Sequence, residues 1–89
     1  MYSQIKAQRE LESAIMQAIT ENYSDEHLPE TVLLAVRLNP EPEVIVLGDY
    51  LSARRDVDTS GYTVEEIDTD NLQDNVAETA SLYFDPRYN

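Results

Sequence analysis

Residues 31–47 read Thr31-Val32-Leu33-Leu34-Ala35-Val36-Arg37-Leu38-Asn39-Pro40-Glu41-Pro42-Glu43-Val44-Ile45-Val46-Leu47. Side chains alternate between the two faces of an extended chain, which sets Val32, Leu34, Val36 and Leu38 against Leu33, Ala35 and Arg37. Asn39-Pro40-Glu41-Pro42 breaks the run, and Glu43 to Tyr50 resumes it. Two β-rich runs joined by a short proline-containing turn predict an antiparallel hairpin. Both strands are apolar at nearly every central position. Either they are covered on both faces, by helices on one side and a second copy of the chain on the other, or the face of Leu33, Ala35, Ile45 and Leu47 is only partly shielded. The first reading makes the hairpin a homo-oligomer interface, and the second, simpler one needs no partner.

Upstream, Ile5, Leu11, Ala14, Ile15, Ala18 and Ile19 fall on one helical stripe, with Lys6, Arg9, Glu10, Gln17 and Glu21 elsewhere. A helix over residues 3–23 follows, with Ser3 as its N-cap. Residues 24–29 read as a polar connection, because Pro29 disfavours helical backbone at Leu28. Downstream, residues 51–61 have loop composition. Residues 62–67 alternate briefly, which predicts a short third strand with Tyr62 and Val64 inward. Leu72, Val76, Ala80 and Tyr83 then recur at helical spacing, with Phe84 beside them. Thr69 or Asp70 is the expected N-cap, Asp70 and Gln73 resemble a capping box, and Asp85-Pro86 ends the helix.

The expectation is an α+β fold. A small antiparallel sheet of two or three strands packs against an N-terminal and a C-terminal helix, in the order α-β-β-(β)-α, as a single small acidic domain over residues 1–89.

With 89 residues the chain is long enough for one domain, and the core of so short a chain is thin. A deep substrate cavity is not expected. Eighteen Asp and Glu against six Lys and Arg leave a net charge of −12. Direct binding to nucleic acid or to an anionic membrane needs a basic face and is therefore not expected. Cysteine is absent, which removes disulfides, thiolate nucleophiles and Cys-type zinc sites. The longest apolar runs, 32–36 and 44–47, fall far short of the roughly 20 residues that cross a bilayer. No apolar segment of the signal-peptide kind follows the polar start at Met1. A cytoplasmic protein is the expectation. Since 42% of residues are apolar and cluster periodically, the chain reads as folded despite its charge.

Chemistry is sparse. The single histidine, His27, sits among polar residues, and Ser24 and Asp25 are too close in sequence to complete a catalytic triad with it. Gly48 and Gly61 do not make a phosphate-binding loop. The carboxylates crowd into polar segments, where they stay solvated instead of acquiring raised pKa values. No enzymatic activity and no cofactor are expected. Asp56-Val57-Asp58-Thr59-Ser60-Gly61-Tyr62 matches the first half of a calcium-binding EF-hand loop. Position 12 is Ile67, so Glu66 is the nearest carboxylate, one residue early. Asp56, Asp58, Ser60 and Glu66 are the calcium candidates, and an ordinary acidic turn with Gly61 at positive φ is the competing reading.

The charge is localised. Residues 56–85 carry nine Asp and Glu and no Lys or Arg. Three readings follow: a solvated face that maintains solubility, a face that docks on a basic protein, or a nucleic-acid mimic occupying the basic groove of a DNA- or RNA-binding protein. The last is the strategy of small acidic inhibitors from phages and mobile elements, which this chain resembles in size and charge alone. The expected function is a non-catalytic interaction or regulatory protein. Its partner-binding residues are Glu65, Glu66, Asp68, Asp70, Asp74 and Glu78, with Tyr88 as an aromatic anchor beyond the last helix. Tyr83 is expected to be core.

Overall fold

The computed structural model describes residues 4–38, 41–49 and 60–84. Its elements are helix α1 (Gln4–Asn22), strands β1 (Thr31–Arg37), β2 (Glu43–Asp49) and β3 (Thr63–Asp68), and helix α2 (Leu72–Leu82). A single 3-10 turn, Asp25–His27, lies between α1 and β1. The fold is α+β in the expected order, and the third strand is formed.

Leu11, Ile15 and Ile19 recur every four residues along α1, and all three are fully buried. They meet Val32, Leu34 and Val36 of β1, Ile67 of β3, and Val76 and Ala80 of α2 in one core. Val44, Val46, Leu72, Tyr83 and Phe84 pack around its edge. Both helices therefore lie on one face of the sheet, whose strand order is β2-β1-β3 with both pairings antiparallel.

The pairing register maps the other face. Ala35 lies between Ile45 and Val64, Leu33 between Gly48 and Glu66, and Thr31 opposite Asp68. Ala35 is buried beneath its larger neighbours, while Val64 stays 48% exposed. Among the described residues no helix or strand packs on this face. A bulge breaks the β1–β2 register between Leu33 and Leu34, and Leu47 is the residue without an opposite partner. Gly48, next to it, takes φ +136°, a conformation that a side chain would oppose.

Two expectations are corrected. In β3 the inward side chains are Glu65 and Ile67, opposite Leu34 and Val32, whereas Val64 faces away from the helices. Tyr62 shares the parity of Val64 and lies with it. The phase is set by which apolar residue reaches the core, and Ile67 presents more surface than Val64. At the start of α2 the N-cap is Asn71, in left-handed conformation with φ +62°, and neither Thr69 nor Asp70. The Asn71 side chain makes no cap hydrogen bond. Asn75 holds the corner instead, its Nδ2 donating to the carbonyls of Asp68 and Asp70 at 2.9 and 2.8 Å.

Candidate functional site

Between residues 60 and 84 the chain carries six carboxylates and no cation. Strand alternation divides those on β3. Glu65 turns toward the helices, where the Tyr83 hydroxyl donates to its Oε2 at 2.5 Å. Glu66 is exposed on the far face, and exposed Asp68 accepts a 3.3 Å bond from Thr31 Oγ1. Thr69 anchors the corner that follows, its amide bonded to the Glu30 carbonyl at 2.9 Å and its hydroxyl to the Pro29 carbonyl at 2.5 Å. Asp70 is exposed in that corner. Asp74 and Glu78 lie one turn apart on the exposed side of α2.

Five of the six expected partner-binding carboxylates thus form a band: Glu66, Asp68, Asp70, Asp74 and Glu78. It runs from the open face of the sheet, around the β3–α2 corner, and onto the outer side of α2. Glu65 stands apart, half-buried and hydrogen-bonded. Near-neighbour carboxylates repel one another, so the band is a standing electrostatic cost that a cationic surface would relieve.

Tyr88 and the calcium candidates Asp56 and Asp58 lie outside the described residues, as do Ser3 and Asp85-Pro86. Ser60 is exposed next to Gly61, which takes φ +83°, as a tight turn requires. Ile67, at the position of the last EF-hand ligand, is a core residue. Among the described residues no group of three or more Asp, Glu or His is placed to hold a metal ion.

Ser24 and His27, although close in sequence, do meet: Oγ lies 3.1 Å from Nδ1 within the 3-10 turn. The contact is local, and both residues are exposed. A shallow pocket at the β1–β3 end is lined by Glu30, Thr31, Asp68, Thr69 and Asp70 and includes neither residue.

One cluster was not anticipated. Arg37 and Glu43 face each other across the hairpin and form an ion pair. The Tyr62 ring stacks on the Arg37 guanidinium, 4.7 Å from its centroid, and its hydroxyl donates to Glu43 Oε2 at 2.9 Å. These bonds hold the Glu43 carboxyl below the ordinary glutamate pKa, the Tyr62 hydrogen bond contributing most and Arg37 next. The sequence signal was the placement of Arg37 and Glu43 on either side of the proline turn.

Compared with known proteins, the chain matches no family model, no curated protein and no solved structure. No helix among the described residues is long and apolar enough to cross a membrane.

Proposed function

We propose that this chain is a non-catalytic interaction or regulatory protein that docks on a basic macromolecule through its acidic C-terminal half. The observation that carries the reading is the band of Glu66, Asp68, Asp70, Asp74 and Glu78, all exposed, in a stretch without Lys or Arg. Complementary charge of this kind speeds encounter and excludes acidic competitors. A nucleic-acid mimic is the special case in which the basic partner is itself a DNA- or RNA-binding protein, whose groove the carboxylates fill in place of phosphates.

The test is a quantitative affinity capture from the native cell, comparing the wild-type chain with a variant carrying Asp70→Lys, Asp74→Lys and Glu78→Lys. Partners are expected to be basic, to elute steeply with salt, and to disappear with the variant. Displacement of those partners by added DNA or RNA would single out the mimic. Capture of the same partners by the reversed variant would overturn the acidic-face reading.

A further inference from the structure

The two helices leave a groove between them on the side away from the sheet, with a volume of about 470 Å³. Its lining runs along α1 from Arg9 to Met16, roughly 10 Å or two helical turns, and faces the first half of α2. Met16 and Ala77 supply apolar surface, buried Val76 lies beneath them, and Glu12 and Asp74 supply carboxylates. Met16 and Ala77 are half-buried, so the groove offers apolar area that the fold itself does not fully cover. Asp74 belongs to the acidic band, and Glu78 continues that band one turn further along α2.

We propose that this groove receives an amphipathic, cationic helical segment of a partner protein. The apolar side chains of that segment seat against Met16 and Ala77, and its Lys or Arg side chains meet Glu12, Asp74 and Glu78. Charge complementarity selects this occupant over a second copy of the chain, which would bring −12 against −12. Two turns of exposed lining match the i, i+3, i+4, i+7 spacing by which helices anchor in grooves. Arg9, at the α1 N-terminal end of the lining, opposes a cation there and so sets which end of the segment enters. The proposal rests on the acidic-surface reading above and adds the form of the ligand.

Two synthetic peptides of identical Leu and Lys composition test it, one with apolar residues at i, i+3, i+4 and i+7 and one scrambled. Binding to the full chain is read by fluorescence anisotropy and by backbone amide shifts. The amphipathic peptide is expected to bind at least about tenfold more tightly, with shifts centred on Met16 and Ala77. Ala77→Trp, which fills the groove, should erase that advantage while leaving the scrambled peptide unaffected. Arg9→Glu should act in the opposite direction and strengthen the amphipathic peptide several-fold. Equal binding of the two peptides would overturn the groove and leave the acidic surface standing. Binding of neither would overturn both. Concentration-dependent dimerisation with shifts in the groove would make a second copy the occupant and overturn the cationic partner.

Discussion

Asn71 shows how much one backbone angle decides. Among the described residues it is the one non-glycine residue with positive φ, at +62°, and it turns the chain from β3 into α2. A β-branched side chain resists that conformation, whereas glycine adopts it freely. Asn71→Val is expected to lose about 1–2 kcal/mol of stability and Asn71→Gly to stay near wild type, as read from urea unfolding midpoints. The sequence made Asp70 the more natural cap, since its residue type and the spacing to Gln73 both suit one. What residue types do not reveal is that the corner is closed from the other side, by the Asn75 amide on two carbonyls. The same limit applies to Glu65. Its place in an acidic run is plain from the sequence, but its bond to Tyr83 depends on the residue that caps α2, eighteen positions away.

At the scale of elements, the helices were more legible than the third strand for a physical reason. A helix carries its periodicity within itself, so Leu11, Ile15 and Ile19 mark the buried stripe of α1 whatever it packs against. β3 offers one apolar residue to each face, Val64 and Ile67, and its phase is fixed only by pairing with β1. Substitution separates the two positions. Ile67→Ala is expected to cost about 2–5 kcal/mol because it empties a fully buried site, and Val64→Lys to stay within about 0.5 kcal/mol. Thermal or urea unfolding of the two variants checks the assignment, and the reverse ranking would restore the phase expected from sequence. The hairpin was legible because its turn is short and its two strands are both rich in β-branched residues. Its bulge at Leu47 was not, since Val44-Ile45-Val46-Leu47 is apolar throughout and a shift of register leaves no mark in it.

For the whole molecule, the excess of charge resolves into two regimes. The band on β3 and α2 is exposed and without cations of its own, whereas Glu43 is tied to Arg37 and Tyr62 at the opposite end of β1. Because the Glu43 carboxyl sits below its ordinary pKa, its contribution is fully present above about pH 4.3, the unfolded value, and is lost as pH falls through the depressed one. Glu43→Gln is therefore expected to lower the urea midpoint at about pH 7. The gap to wild type should narrow as pH is lowered through the depressed value, where the native carboxylate also takes up its proton. A gap that persists in acid would show that the substitution disturbs packing instead of charge. The location of the acidic stretch was visible in the sequence from the start. Its curvature around the corner, and its continuation into a groove between helices, required the fold.

The central position of β1 also imposes an order of assembly. Arg37 and Glu43 are six positions apart, so the β1–β2 pairing closes over a small loop and loses little chain entropy. The nearest β1–β3 pair, Val36 and Thr63, is 27 apart, so that pairing has to wait for a larger closure. Until β3 arrives, one edge of an apolar strand stands open to its neighbours in solution, and an open edge of that kind invites aggregation. The segment that finally closes it is the one carrying the unneutralised carboxylates, so the chain's most repulsive stretch also caps its most adhesive edge.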